Sequence, residues 1–201
     1  MRKTATALFV GLISCAAIAE EAESARGTGV EVGQRIAQFE ARLLDASGKD
    51  SLTKDFDSHR RNRATLYVVL GTRCPTTRDY IARLVGLEKQ FAAKPVDFVY
   101  VYPNREETRE AKLEFHAREH LRGPLIDDRG AKVAVELGAQ KTTEVVLTDA
   151  RGTIVYRGAI DDSRDPEGVK QRYLETALAE TLAGKPVTVT MTRVHACEIH
   201  F

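Results

Sequence analysis

Two apolar runs and the segment between them set the architecture. "ATLYVVL" (64–70) is a continuous apolar run rich in β-branched residues, and "VDFVYVY" (96–102) repeats the character. A strand with one face in water alternates apolar and polar side chains. A run without alternation predicts a strand covered on both faces. Between the two lies "PTTRDYIARLVGLEKQFAA" (75–93), in which Tyr80, Ile81, Leu84, Val85, Leu87 and Phe91 recur at helical spacing and Pro75 suits a first helical turn. A strand, a helical crossover and a second buried strand predict a parallel pair.

The rest of the chain adds to that unit. "VEVGQRIAQFEARLLDASGKDSLTKDF" (30–56) reads as two strand-like pieces about a turn at "DASGK". "TREAKLEFHAREH" (108–120) predicts a solvated helix, "GPLIDD" (123–128) a short strand, and "GAKVAVELG" (130–138) a short helix stopped by Gly138. "TEVVLTDARGTIVYRGAI" (143–160) predicts a hairpin turning at "DARG", and "PEGVKQRYLETALAETLAG" (166–184) one long amphipathic helix. The remainder, "KPVTVTMTRVHACEIHF", predicts an extended tail. The fold class expected is α/β, with a mixed central sheet flanked by helices on both faces, an N-terminal extension and a tail at 185–201.

A chain of 201 residues that is 43% hydrophobic and 29% charged has room for one domain with a real core. A net charge of +1 with interspersed signs, and no Trp, argues against a nucleic-acid surface. "MRK", "ATALFVGLIS" and the small-residue site "AIA" at 17–19 predict a signal peptide over 1–19, followed by a polar leader over 20–29. The expectation is export to a periplasmic or extracellular space. "LISC" at 12–15 offers an alternative, a lipid anchor on Cys15, and it is the one route to a membrane here. Cleavage after Ala19 leaves two cysteines, Cys74 and Cys197, which in an exported chain can form a disulfide.

"GTRCPTT" (71–77) and "TTEVVLTDARGTIVYRGAIDD" (142–162), set among these strands and helices, resemble the thioredoxin-fold redoxin family, which includes the peroxiredoxins and the exported thioredoxin-like proteins. The resemblance covers about residues 30–183 and implies a thioredoxin-like domain over 30–184 with a thiol oxidoreductase or peroxidase (antioxidant) activity. Its catalytic positions fall on Cys74, Thr77 and Thr143. Thr77 stands where Cys-x-x-Cys has its second cysteine, so internal exchange within that motif is excluded and the chain reads as a single-cysteine variant. Gly71 and Tyr67 stand where peroxiredoxins carry Thr and Pro. Thr143 falls near the position of a peroxiredoxin arginine or a thioredoxin cis-proline.

Elementary chemistry supports Cys74 without the resemblance. A cysteine at a helix N-terminus meets unpaired backbone N–H groups and the positive end of the helix dipole, and both favour thiolate. Thr72, Thr76 and Thr77 supply hydroxyls, and Arg73 or Arg78 positive charge. A thiolate there attacks a peroxide or a disulfide, so the partners expected are such a substrate and a reductant, with no cofactor required. In the tail, Cys197 is a candidate resolving thiol. Met191, His195, Cys197 and His200 also read as a soft-metal set for copper or zinc, which defines the alternative function: a non-catalytic metal- or partner-binding module. His116 and His120 have i, i+4 spacing, but "EFHAREH" reads as a solvated face.

Overall fold

The computed structural model describes residues 30–36, 39–44, 49–53 and 62–200. The expected signal peptide, leader and Cys15 lie outside the described residues.

The two apolar runs form β3 (Ala64–Val69) and β4 (Val96–Tyr102), parallel and in register from Ala64 opposite Val96 to Val69 opposite Val101. The crossover is α1 (Pro75–Phe91), and β5 (Leu125–Asp127) adds a third parallel strand beside β4. On the other side of β3, β6 (Val145–Asp149) and β7 (Ile154–Gly158) form the expected hairpin, with β6 antiparallel to β3. The N-terminal pieces β1 (Ala41–Leu44) and β2 (Asp50–Thr53) pair with each other, and β1 lies antiparallel to β5. The result is a seven-stranded mixed sheet in the order β2-β1-β5-β4-β3-β6-β7.

Why β3 and β4 lack alternation is plain from their two faces. Leu66, Val68, Leu70, Phe98, Tyr100 and Tyr102 pack on one side with α1, α2 (Arg109–Arg118) and α4 (Tyr173–Leu182). Tyr67, Val69, Val99 and Val101 pack on the other with α3 (Lys132–Glu136), β1 and the segment around Ile36. Each fully buried Leu, Val or Phe contributes about 1.5–3 kcal/mol, so a sheet covered on both faces supplies most of the stability. Gly138 (φ 68) terminates α3 as expected. Among the described residues no helix is long and apolar enough to cross a membrane.

Two expectations are corrected, and the tail gains a location. The helix over 166–184 is shorter: Pro166–Gly168 makes a 3-10 turn and α4 begins only at Tyr173. Side-chain acceptors hold the intervening backbone out of the helix, since Asp165 takes the Glu167 N–H (3.0 Å) and Asp162 takes those of Lys170 (2.9 Å) and Gln171 (3.0 Å). The α2 helix is not solvated all round, because its inner face is built from polar residues that find partners. Lys112, 0% exposed, donates to Tyr102 O (3.0 Å) and pairs with Asp127 (2.7 Å). His116, 1% exposed, sits between Tyr102 Oη (3.2 Å) and Gly123 O (2.8 Å). A carbonyl only accepts, so Nε2 carries the proton and Nδ1 accepts from the tyrosine. His120 falls beyond the helix, at φ 57, and does not share a face with His116. Finally, the tail is docked: it runs beside β7, where Arg157 N–H donates to Thr190 O (3.0 Å) and Thr192 N–H to Arg157 O (3.1 Å), then reaches the loop before β6.

Candidate active site

Cys74 sits where β3 hands over to α1. Leu70 N–H still donates to Val101 O (2.8 Å), so the chain stays bonded to β4 one residue beyond β3. The chain then turns through Gly71–Cys74, closed by Cys74 N–H to Gly71 O (3.2 Å). Gly71 is required by space: a Cβ there would stand 2.8 Å from Asn104 Nδ2 and 3.0 Å from Thr142 Cγ2. Cys74 is the N-cap of the 17-residue α1, in extended conformation (φ −73, ψ 122), with Pro75 next and no acidic residue in the first turn. Its own side chain makes no capping hydrogen bond. A sulfur anion at the N-cap would therefore meet unpaired N–H groups and the helix dipole together.

The sulfur is bonded to Cys197. The two residues are 123 positions apart in sequence, with Cα atoms 6.2 Å apart. Cys74 is 5% exposed, whereas Cys197 is only partly buried. The tail reaches this position through its own backbone. Thr142 N–H donates to Cys197 O (2.9 Å), Ile199 N–H to Gln140 O (3.1 Å), and Lys141 and Glu198 form an antiparallel bridge. Ile199 is buried in the cluster around α3 and anchors the segment. The tail adds itself as an extended segment to the loop that precedes β6, a mode in which main-chain bonds give affinity.

Thr142 is the residue that touches the sulfur. Its hydroxyl donates to Cys74 Sγ at 3.1 Å and lies 3.4 Å from Cys197 O; it is fully buried. Sequence reasoning pointed instead to Thr143 and Thr77. The Thr143 hydroxyl donates to Thr142 O (2.6 Å), and its backbone holds φ 60, with N–H to Val69 O at 2.5 Å. Left-handed backbone at a β-branched residue is strained, and here it turns Thr142 toward Cys74. The Thr77 hydroxyl accepts from Gly71 N–H (3.4 Å), so it braces the turn. Among the described residues there is no cis peptide bond. Glu144 closes the loop by accepting from Gln140 N–H (2.9 Å) and Lys141 N–H (3.2 Å), and burial raises its carboxyl above the usual range. The identity of the contacting threonine was illegible because it depends on that strained turn.

The proposed metal set is spread out. Met191 lies beside β7 and is exposed, His200 Nδ1 is 3.6 Å from Glu106, and the Cys197 sulfur is bonded to Cys74. Among the described residues no three of His, Cys, Asp and Glu are grouped as a metal site. Near the tail, a cleft of about 390 Å³ is lined by Tyr80, Thr143, Asp161, Arg164, Arg193 and His195. Asp161 is paired with Arg83 (2.5 Å), Arg164 with Asp79, and Arg83 lies over the Tyr80 ring (3.9 Å).

Comparison places this arrangement among known proteins. A hypothetical protein from Sinorhizobium meliloti shares 26% identity, with a TM-score of 0.74 over 86% of this chain and 95% of that one. An uncharacterized conserved protein from Geobacillus kaustophilus shares 23%, also at 0.74, over 85% and 92%. The thioredoxin domain of a thiol-disulfide oxidoreductase from Bacteroides vulgatus shares 14%, at 0.52, over 64% and 88%. The fold is thus thioredoxin-like. No curated protein sequence matches the chain. The Redoxin family profile matches residues 31–190, which spans the sheet, the Cys74 turn and the loop that holds the tail. The chain belongs to the Redoxin family.

Proposed function

We propose that this chain is a thiol–disulfide oxidoreductase that cycles between a Cys74/Cys197 dithiol and the Cys74–Cys197 disulfide. The observation that carries the reading is the bond itself: a cysteine at the N-cap of a long helix, joined to a second sulfur delivered by a backbone-paired tail. Redoxin membership supports a thiol redox reaction, as does the likeness to a protein named a thiol-disulfide oxidoreductase.

In the forward direction the Cys74 thiolate attacks one sulfur of a substrate disulfide. A Cys74–substrate disulfide forms and the other substrate sulfur leaves as thiolate, to be protonated by solvent. Cys197, as thiolate, then attacks the Cys74 sulfur, forming the internal disulfide and releasing the second substrate thiol. The substrate gains two electrons and the pair of cysteines loses two. Thr142 donates its hydroxyl to the Cys74 sulfur, a bond that strengthens when that sulfur is the attacking thiolate. An external dithiol, or the reverse reaction, resets the pair.

The turn before Cys74 departs from the peroxiredoxin pattern at Gly71. A threonine at that position would bring its Cβ against Asn104 and Thr142, so the hydroxyl beside the sulfur comes from Thr142 in the loop before β6 and not from the turn itself. The test is to mix reduced protein with glutathione disulfide or with hydrogen peroxide, quench by alkylation and read intact mass. The expected result is closure of the internal disulfide in wild type and accumulation of a glutathione adduct on Cys74 in Cys197→Ser. Absence of that adduct sinks the reading, and closure faster with peroxide at equal concentration moves the protein to the peroxidase class.

A further inference from the structure

We propose that Asn104 and Glu107 are positioning residues that tie the tail to the turn carrying Cys74, and so favour the closed form of the pair. The inference rests on the reading of Cys74 and Cys197 as a cycling pair and adds what sets their equilibrium.

The tie runs through one carboxylate oxygen and one side-chain amide. Glu107 Oε1 accepts from Thr72 N–H (2.8 Å), in the turn two residues before Cys74, and from Asn104 Nδ2 (3.1 Å). The other end of the Asn104 amide, Oδ1, accepts from His200 N–H (3.2 Å), three residues beyond Cys197. The neighbouring Arg105 N–H donates to His200 O (3.3 Å), so the same loop holds both the N–H and the carbonyl of one tail residue. Asn104 is 7% exposed and Glu107 2%. Gly71, lacking a Cβ, lets Asn104 approach the Cys74 turn.

The orientation of the amide follows from the partners. A carboxylate only accepts, so Glu107 draws Nδ2 toward itself and leaves Oδ1 facing the tail N–H. With Glu107 gone, Asn104 loses that constraint, and a flipped amide would present a donor to a donor. Glu107 Oε2 is buried with no hydrogen-bond partner among the described residues. A buried acceptor left unmet is costly, so packing alone gives no reason to keep a carboxylate here. Holding two donors on Oε1, with the amide between them, gives one.

The contact to His200 is made with the tail seated, which the disulfide enforces. By linkage, any contact stronger in the closed form stabilises the disulfide by the same amount. One net hydrogen bond corresponds to about a three- to tenfold change in an equilibrium constant. For a two-electron couple that is about 15–30 mV.

The experiment equilibrates the full chain in dithiothreitol buffers of graded redox poise, counts free thiols by alkylation and mass, and compares wild type with N104A, E107A and E107Q. N104A and E107A are expected to be reduced about three- to tenfold more readily. E107Q keeps Oε1 as an acceptor for both donors and is expected within about twofold of wild type. Unfolding of each protein, oxidised and reduced, is measured alongside. A purely structural role lowers the unfolding midpoint of both redox forms alike and leaves the exchange equilibrium at the wild-type value, which overturns the proposal. E107Q as disturbed as E107A also overturns it, because then charge matters and the tie does not. Should E107A fail to fold, N104A alone decides. Failure of wild type to form the disulfide refutes the cycling pair itself, a separate result from a normal disulfide that ignores Asn104.

Discussion

Opening the Cys74–Cys197 bond should remove a large share of the protein's stability, and the size can be worked from the chain. The bond joins residues 123 positions apart. In the chain-entropy account, a cross-link closing a loop of that length raises the free energy of the unfolded ensemble by about 5 kcal/mol. Domains of ordinary size have a net stability of only about 5–15 kcal/mol. With a urea dependence of about 2 kcal/mol per molar, reduction should lower the unfolding midpoint by roughly 2.5 M. Residual contacts in the unfolded chain reduce that number, so it is an upper bound. The assay is urea unfolding followed by circular dichroism, on oxidised wild type, reduced wild type, C74S, C197S and the double variant. The last four should coincide, because the second substitution removes nothing the first has left. A difference under about 1 kcal/mol between oxidised and reduced wild type would refute the reasoning, as would singles that add in the double variant.

Three further outcomes follow from particular residues. In reduced protein, T142V should slow alkylation of Cys74 at neutral pH by about tenfold, since a hydrogen bond to a charged acceptor is lost, while T142S should keep the wild-type rate; equal rates for all three would remove Thr142 from the site. His116 is held at a pKa of about 4 by burial, below the 6.5 of a free imidazole. Between those values the unfolded chain binds the proton and the folded one does not. Stability is therefore full above pH 6.5 and falls toward pH 4, by about 3 kcal/mol, and H116N should flatten that part of the stability–pH curve, a difference read by urea midpoints from pH 4 to 7. G71A should destabilise by about 1–3 kcal/mol through overpacking, because its Cβ meets Asn104 and Thr142; an unchanged thermal midpoint would show that the turn is looser than its contacts imply.

Much of the fold was legible because both faces of β3 and β4 write the same apolar signal, and because the turns that matter carry residues such as Gly138 and "DARG". The α2 helix was misread because composition cannot distinguish Lys112 and His116 in water from the same residues buried against Tyr102, Asp127 and Gly123. The long helix failed where Asp162 and Asp165 compete for backbone N–H groups, a contest decided by the preceding loop. At the candidate site, Cys74 was singled out from its place between strand and helix, and the structure puts it at that junction. Cys197 was a candidate on chemistry alone, since nothing in the local spacing tells a tail where it docks. Thr142, Asn104 and Glu107 were missed because each acts through a long-range contact: to a sulfur 68 positions away, to a tail 96 away and to a turn 35 away.

That distance has a consequence for the chemistry. In a Cys-x-x-Cys site the helix itself supplies the second sulfur, so the pair is close even in a partly ordered chain. Here the second sulfur is brought by β7, the loop before β6 and the buried Ile199, none of which is in place until the sheet is formed. The effective concentration of one thiol at the other is thus a property of the whole domain. The free energy by which the bond stabilises the fold is also, by linkage, the free energy by which the fold stabilises the bond. About 5 kcal/mol corresponds to roughly 100 mV for a two-electron couple, so the disulfide should be easier to reduce by about that much in urea than in buffer. A potential unchanged by unfolding would mean that the tail finds Cys74 without the sheet, and the seat described here would have no role in the pairing.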